Sequence, residues 1–385
     1  MLFGVSQVFS APILFVSTLV IVLLYRNIGI VLKQYYLFLL FLTFFIIVGG
    51  SVSAVYNLGS GDVVISYMLK YVSSFLIIIS VSLCVFYLLK YGRENQLVNT
   101  IYLLLFVSVA SIFFSKSLNE IYVMKTMSIQ RSSGFFGNPG EAAMICCLLI
   151  SINLVYFSKY ITLSVAILIF SLFGIILTYS KTGMLLSVVI IFLSITFPDK
   201  NIRKVSVISI FILVSLLASF ATLSLMFELT ASQISRLIQV KDILTGSSIS
   251  FSELSTGRDV IWNSGFEKIS NNLFFGGGIG SFHEGVYYGQ GIHNLYIMIL
   301  GESGVVTFIL FLVFIVYTLI NLIKCSFGRR STKLGIMALL IFIVFLVDAV
   351  GTHNTLMLRY NNFSLGLVFG ALAYLYDLNA RDNYV

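Results

Sequence analysis

Long apolar stretches recur along this chain and limit what it can fold into. A transmembrane helix needs about 20 consecutive, mostly apolar residues, and inside a bilayer only a helix or a closed barrel satisfies its own backbone polar groups. The sequence therefore predicts an all-α polytopic membrane protein with about 11 transmembrane helices (10–12). The predicted spans are 8–25, 35–55, 66–89, 99–115, 140–157, 160–178, 183–198, 204–227, 292–323 (interrupted near Gly301), 333–350 and 362–377.

Composition excludes a soluble domain and indicates an orientation in the membrane. Only 10% of the residues are charged and the mean hydropathy is +1.03, whereas soluble domains carry about 25% charged residues. Lys and Arg occur in every second connection, which predicts that these connections are cytoplasmic and that the N-terminus lies outside. The net charge of +8 is therefore read as a topology signal, and no nucleic-acid partner is expected. The four cysteines show neither a disulfide framework nor zinc-ligand spacing, and no metal site is predicted.

The outward connections divide the chain into three parts. Residues 1–227 form transmembrane helices 1–8, with short motif loops at 116–139 and 178–183. Residues 228–291 form a large extracytoplasmic loop, and 292–385 form the C-terminal transmembrane helices.

Within the large loop, the sequence predicts two helices and a turn. Helical spacing of apolar residues predicts a helix on the membrane surface at 229–244, and a second helix follows at 255–270 with Thr256 as its cap. The glycine cluster that follows, "GGGIG" at 276–280, matches no phosphate-loop motif and predicts a turn with permissive backbone angles, although a close approach to a ligand stays open.

Three cationic residues lie beside helix starts or tight turns in the outward connections. Arg258 falls in the first turn of the second loop helix, where free N–H groups favour an anion, and a lipid headgroup contact is the alternative. Arg131 stands just ahead of a helix start formed by Asn138, Pro139 and Glu141. Lys181 lies on a tight turn between two spans, where an ordinary interfacial lysine is the alternative.

The chain has only three histidines, and all fall in outward connections. His293 and Asn294 stand at the lip of the ninth span, where they fit either proton exchange with a substrate or a capping contact. A second His-Asn pair begins at His353, with Arg359 close behind, and could line the acceptor side or cap the last spans. His283, next to Glu284, is a third option, and it ranks below the other two because nothing near it in the sequence fixes its geometry.

One acidic residue also stands out. Asp348 lies within a predicted span, where an ionisable side chain is costly enough to suggest a function.

Several motifs resemble the O-antigen ligase and O-antigen polymerase superfamily of bacterial envelope glycosyltransferases. They are "RSSGFFGNPGEAA", "TYSKTGMLL", "GRDVIW", "FFGGGIGSFHEG" and "HNLYIMILGESG", in this order, between about residues 131 and 305. The resemblance implies a GT-C-like, metal-independent and cofactor-free enzyme in the bacterial cytoplasmic (inner) membrane, with its active site on the outer face. It implies an undecaprenyl-diphosphate-linked oligosaccharide, membrane lipid and a chain-length regulator protein as partners.

The resemblance also assigns roles to residues. Arg131 and Arg258 match the periplasmic arginines of the family and His293 matches its loop histidine, so these three are expected to be catalytic. Lys181 replaces an arginine of the family's Ser-Arg-x-Gly motif, which keeps the charge but not the bidentate fork. Residues expected to bind the diphosphate or the glycan are Lys181, Asn294, His353 and Arg359.

Three functions compete. The first is a polymerase that transfers the growing glycan to the next lipid-linked repeat unit, and the second is a ligase that transfers finished chains to the lipid A core. Thr307 stands where the ligases tend to have glycine, which favours the polymerase. The third is a transporter or flippase of the same lipid-linked sugars, but the chain shows no duplicated half.

Overall fold

The computed structural model describes residues 16, 28–56, 61–114, 132–136, 138–218, 238, 258–283, 286, 290–328 and 332–382. These residues form eleven α-helices and one 3-10 helix and contain no extended strand. The helices are α1 (Ile28–Tyr56), α2 (Gly61–Lys90), α3 (Glu94–Phe113), α4 (Pro139–Tyr156), α5 (Ile161–Thr178), α6 (Lys181–Ile195), α7 (Lys200–Ala218), α8 (Arg258–Ser270), α9 (Leu295–Phe327), α10 (Lys333–Gly351), the 3-10 helix His353–Met357 and α11 (Arg359–Asp382).

The predicted all-α membrane protein is confirmed. Among the described residues, seven helices are long and apolar enough to cross a membrane, namely α1, α2, α3, α4, α5, α9 and α10. They correspond to seven of the predicted spans. Helix α6 is shorter, with 15 residues, and α7 covers only the first part of 204–227. Helix α11 covers the last predicted span but is not among the seven, so a total of about 11 spans and a GT-C-like topology stay predictions.

Several sequence predictions lie outside the described residues. They include the span 8–25 apart from Val16, the surface helix 229–244 apart from Ile238, most of the loop 116–139 with Arg131, the cap Thr256, and Glu284.

The described residues fall into two compact units. Unit 1 comprises residues 1–93, 255–325 and 345–385, and unit 2 comprises 94–254 and 326–344. The units interleave along the chain, because the segment from 255 to 325 joins the first two helices instead of the helices that directly precede it.

Unit 1 is held together by a close approach of α2 and α11. A Cβ atom at Gly366 would lie 2.7 Å from Cβ of Val81, and one at Gly370 would lie 2.6 Å from the carbonyl oxygen of Ser82. Glycines four residues apart let helix backbones approach closely, which is how helices associate in lipid without a hydrophobic driving force. A cluster of buried aromatic rings from α1, α9 and α11 fills the unit: Phe38, Phe41, Phe45, Phe311, Phe314 and Phe369.

Unit 2 is built around α4, which is buried along almost its whole length. The helix starts as predicted: Asn138 is the cap, its side chain accepts from the Gly140 amide at 2.8 Å, and Pro139 is the first helical residue. Small residues on α4 allow close packing, since a Cβ at Gly174 of α5 would lie 3.2 Å from Sγ of Cys146.

Candidate functional site

A buried glutamate holds the connection between α8 and α9 in unit 1 by hydrogen bonds. Glu302, in the first part of α9, has no exposed surface. Its Oε1 accepts hydrogen bonds from the backbone N–H groups of Gly280 at 3.0 Å and Phe282 at 3.2 Å. The amide of Gly278 donates to the backbone carbonyl of the same glutamate at 3.0 Å. The connection is therefore attached to the first turns of α9.

The glycine cluster is a turn, as predicted, and its amides bond within the protein. Gly276, Gly278 and Gly280 have φ of 76°, 88° and 90°, which glycine adopts at no steric cost. The five consecutive N–H groups of residues 276–280 all donate to protein oxygens. These amides are thus already paired within the protein, and the close approach of a ligand to this turn stays a prediction.

Helix α9 is interrupted at Gly304, where φ is 77° and ψ is −178°. The sequence predicts an interruption near Gly301, and the structure confirms it three residues further along. A Cβ atom at Gly304 would overlap the carbonyl of Phe274, and the amide of Val305 donates to the carbonyl of Leu273 at 3.0 Å. The connection from α8 thus packs on the kink, and the short segment before it carries His293 and Asn294 at its start.

Unit 1 brings the three histidines of the chain together. The ring of His353 lies edge-on to both others, with centroids 5.0 Å from His283 and 5.2 Å from His293. The sequence places these residues in two separate connections and gives no indication that they meet.

His283 is fixed by contacts from α2, contrary to the expectation that nothing holds it. Its ring stacks on Tyr67 with centroids 4.1 Å apart, and its Nε2 lies 3.0 Å from the hydroxyl of Tyr71. The same nitrogen lies 3.8 Å from Oε1 of Glu302, and the side chain is 1% exposed. His283 is therefore a buried structural neighbour of the site.

His293 has an unusual backbone conformation, with a φ of 50°. Its N–H donates to Nδ1 of His353 at 3.3 Å. The side chain of His293 is partly exposed, whereas His353 is buried. Of the three histidines, His293 is thus the one whose side chain is open enough to meet a substrate.

Arg258 lies beside His293. It is the first residue of α8, as predicted, and its guanidinium donates to the carbonyl oxygen of Gly351, the last residue of α10, at 3.1 Å. Trp262, one turn later, donates from Nε1 to the carbonyl oxygen of Ile292 at 3.0 Å. Because α8 is tied both to α10 and to the residue before His293, it sets the distance between the guanidinium and the imidazole.

The surroundings keep the histidines neutral. Burial, and next the positive charge of Arg258, lower the pKa of His293 from its usual value. Burial and the neighbouring His293 lower the pKa of His353 to about 4. Burial and His353 lower the pKa of His283 to about 3, although a hydrogen bond to Asn354 acts in the opposite direction. Near neutral pH the site therefore combines neutral imidazoles with one guanidinium.

Two of the predicted binding residues lie at the starts of helices in unit 1. Asn294 is buried and caps α9, since its Oδ1 accepts from the amide of Ile297 at 3.1 Å. Arg359 is exposed at the first position of α11. The roles of both in substrate binding stay predictions.

Asp348 now has partners that the sequence could not supply. Its Oδ2 accepts from the hydroxyl of Tyr360 at 2.8 Å and from Nδ2 of Asn361 at 2.6 Å. The carboxylate therefore joins α10 to α11, and these contacts account for an acidic residue at this depth.

Lys181 belongs to unit 2, on the tight turn that the sequence predicts. Tyr179 ends α5 with a φ of 50°, and Ser180 caps α6 by accepting from the Gly183 amide at 3.3 Å. Lys181 is the first residue of α6. The partial positive charge at the N-terminal end of that helix and the charge of Lys181 therefore lie together, and both favour an anion.

Glu302 is the residue that the sequence analysis missed. It lies inside a predicted span, and the cost of burying an ionisable group, which drew attention to Asp348, applies to it equally. Among the described residues, no three His, Cys, Asp or Glu side chains are grouped so that they could hold a metal ion.

A family model described as O-Antigen ligase matches residues 166–312. The match covers less than half of the chain and includes Lys181, Arg258, His293 and Glu302. It confirms the resemblance to the O-antigen ligase and polymerase superfamily. No match was found among curated proteins.

Proposed function

We propose that the chain is an O-antigen- or capsule-type polysaccharide polymerase. It transfers the growing glycan from undecaprenyl diphosphate to the next lipid-linked repeat unit, without a metal ion. The family match supports a glycan-transferring membrane enzyme. The observation that carries the proposal is the placement of the Arg258 guanidinium beside a neutral, partly exposed His293 at the start of α9.

This pair meets the two needs of a glycosyl transfer from a lipid diphosphate. A hydroxyl oxygen of the acceptor sugar attacks the anomeric carbon of the donor, and the bond between that carbon and the diphosphate oxygen breaks. His293 accepts the hydroxyl proton. The diphosphate leaves with the electron pair of the broken bond, and the guanidinium of Arg258 stabilises its charge.

Other residues assist in this proposal. The resemblance assigns Arg131 and Lys181 to the diphosphate and Arg359 to the glycan, whereas Asn294, buried at the start of α9, acts on the glycan only through the helix that it caps. These roles follow from the resemblance and from charge, and they await direct tests by substitution.

The ligase is the second candidate, because the matching family model is itself described as O-Antigen ligase. The departure at Thr307, which is fully buried in α9, is the reason to prefer the polymerase. A transporter or flippase of lipid-linked oligosaccharides is the third.

One reaction separates the three candidates. Purified protein in nanodiscs receives a single lipid-diphosphate-linked repeat unit, and the products are separated by size. A ladder of repeats is expected and would establish the polymerase. A single glycan-bearing product that appears only when lipid A core is added would show a ligase. Absence of product in both reactions, with authentic repeat units, would overturn the enzyme proposal in favour of transport.

Substitution of Arg258 tests the assigned mechanism. Arg258→Ala should lower the rate of transfer by about 10²-fold or more, as is typical when a group that stabilises developing charge is removed. Arg93→Ala is the matched control, since this arginine is exposed in the turn between α2 and α3. Normal product from Arg258→Ala would rule out its role at the diphosphate.

A further inference from the structure

His353 occupies a place in unit 1 that its position in the sequence does not suggest. It opens the 3-10 helix between α10 and α11, and it is 7% exposed. Its ring lies between those of His283 and His293. A ligand of the acceptor sugar would need an accessible side chain, and this one has almost no exposed surface.

We propose that His353 is a positioning residue: its Nδ1 accepts the backbone N–H of His293 and holds that residue in the left-handed conformation that directs its imidazole. This assignment replaces the expectation that His353 binds substrate directly. The expected effect of His353 on the rate rests on the proposed glycosyl transfer. Its hydrogen bond to His293 does not depend on that proposal.

The backbone of His293 needs such a partner. A residue other than glycine with positive φ is uncommon and is held in place by its surroundings. Tyr179 has the same φ of 50°, but it ends a helix, and its N–H donates to the carbonyl of Ile176 within the same turn. The N–H of His293 donates instead to a residue 60 positions further along the chain, at 3.3 Å. The conformation at 293 is therefore fixed by tertiary structure and not by the end of a helix.

The contacts of His353 specify its tautomer. Because Nδ1 accepts a hydrogen bond, that nitrogen carries no proton, and a neutral ring then carries its proton on Nε2. The Nε2 edge lies against the backbone at Gly291, where a Cβ atom would lie 2.9 Å from Nε2 and 2.8 Å from Cε1. Both edges of the ring thus face protein.

The charges around His353 favour this neutral form. The rings of His283 and His293 both contact it, Arg258 is coupled to His293, and Lys70 and Glu302 lie near His283. Protonation at Nδ1 would place a donor against the N–H of His293 and remove the acceptor. Burial and His293 lower the pKa of His353 to about 4, so the acceptor persists at the pH at which the enzyme would work.

Nitrogen NMR tests the tautomer without any reference to activity. The chain has only three histidines, so protein labelled with ¹⁵N-histidine in nanodiscs gives three imidazoles, assigned with the variants His283→Gln, His293→Gln and His353→Asn. The expected result is a neutral His353 with its proton on Nε2 between pH 6 and 8. A proton on Nδ1, or a charged ring in this range, would overturn the proposal.

Three substitutions at one position test the mechanism. Asparagine at 353 places its Oδ1 near the position of Nδ1, glutamine places its oxygen near that of Nε2, and leucine has no acceptor. His353→Leu and His353→Gln should lower kcat by about 10²-fold with little change in KM, because a misplacement of about 1 Å has an effect of this size. His353→Asn should recover most of the loss. Equal rates in all three variants, or a loss confined to KM, would overturn the positioning role.

Two further comparisons keep the outcomes distinguishable. Tyr102→Phe, which removes a hydrogen bond of 3.2 Å to Asn153 in unit 2, shows how much transfer responds to an unrelated packing change. If wild-type protein formed no product in any assay, the proposed function would fail, and the tautomer of His353 would still decide the structural assignment.

Discussion

Glu302 is a carboxylate without solvent exposure, and its two oxygens have different surroundings. Oε1 accepts from two backbone amides of the glycine-rich connection. Oε2 is buried without a hydrogen-bond partner among the described residues. Removing a buried acceptor that binds two N–H groups is costly, because both donors are then left without a hydrogen bond and without water.

Two substitutions of Glu302 should show how much its acceptor oxygen stabilises the connection. Glu302→Ala leaves two buried N–H groups unpaired and should lower the free energy of unfolding by about 2–4 kcal/mol. Glu302→Gln keeps an oxygen at the same distance along the side chain, so it should lower the free energy of unfolding clearly less. Thermal unfolding in detergent measures both. Equal losses in the two variants would mean that the acceptor oxygen does not stabilise the connection.

Acidification should reduce what the two buried histidines contribute to the stability of the protein. The pKa values of His283 and His353 in the folded state are about 3 and about 4, below the usual value of about 6.5. Between these limits the unfolded chain binds protons at these two residues that the folded chain does not, so their contribution to stability falls as the pH falls below about 6.5. At pH 5 the loss is about 2 kcal/mol for each histidine.

The unfolding midpoint at pH 7.5 and at pH 5 gives the measurement. His353→Asn removes one of the two groups and should show a smaller decrease on acidification than the wild type. The same decrease in both proteins would show that other groups cause the acid sensitivity.

For single residues, the sequence indicates which side chains have suitable chemistry, but it does not predict which of them are in contact. Arg258 and His293 stand out because each lies at a helix start that the sequence shows. The hydrogen bond between His293 and His353 joins residues 60 positions apart, and no local pattern encodes that distance. Glu302 could have been found, since a carboxylate within a span is a feature of the sequence alone.

Helix α9 illustrates what a pattern reveals about a single element. Its apolar run was predicted as 292–323, and the helix extends from Leu295 to Phe327. The interruption was assigned to Gly301, yet the backbone leaves the helical conformation at Gly304. Gly301 is needed for a different reason, because a Cβ there would overlap the ring of Phe282. Two nearby glycines look alike in the sequence, and only the packing distinguishes a close approach from a positive φ.

A pair of glycine substitutions tests the kink. Gly304→Ala introduces both an unfavourable φ of +77° and an overlap with the Phe274 carbonyl, whereas Gly92→Ala introduces an unfavourable φ of +70° with no atom within 4 Å. Gly304→Ala should therefore lower the unfolding midpoint more than Gly92→Ala does, and it should make the connection between α8 and α9 more sensitive to protease. Indistinguishable effects would indicate that the connection does not depend on its contact with the kink.

For the whole molecule, the apolar pattern predicted the class of fold and most of the long helices. Seven predicted spans correspond to helices long enough to cross a membrane. The division into parts along the chain was less informative, since unit 1 combines three separate segments of sequence. Periodicity and hydropathy describe each helix separately, whereas the pairing of α2 with α11 depends on the fit of Gly366 and Gly370 against a distant helix.

The orientation in the membrane can be measured by labelling. In a chain whose native cysteines are replaced by alanine, Arg93→Cys and Phe275→Cys place single thiols at exposed positions. The distribution of Lys and Arg predicts that position 275 reacts with an impermeant maleimide in intact cells and that position 93 reacts only after permeabilisation. The reverse pattern would place the histidine site on the cytoplasmic side and contradict the proposed reaction.

The left-handed backbone at His293 links the stability of the protein to the reaction proposed for this residue. A side chain other than glycine costs about 1 kcal/mol or more at such an angle, and His293→Gly relieves this cost, but the freedom that glycine adds to the unfolded chain offsets part of the gain. In the proposed reaction the same substitution removes the proton acceptor, so transfer is lost with little gain in the unfolding midpoint. Stability alone therefore gives no reason for an imidazole at this angle, whereas the proposed proton transfer does.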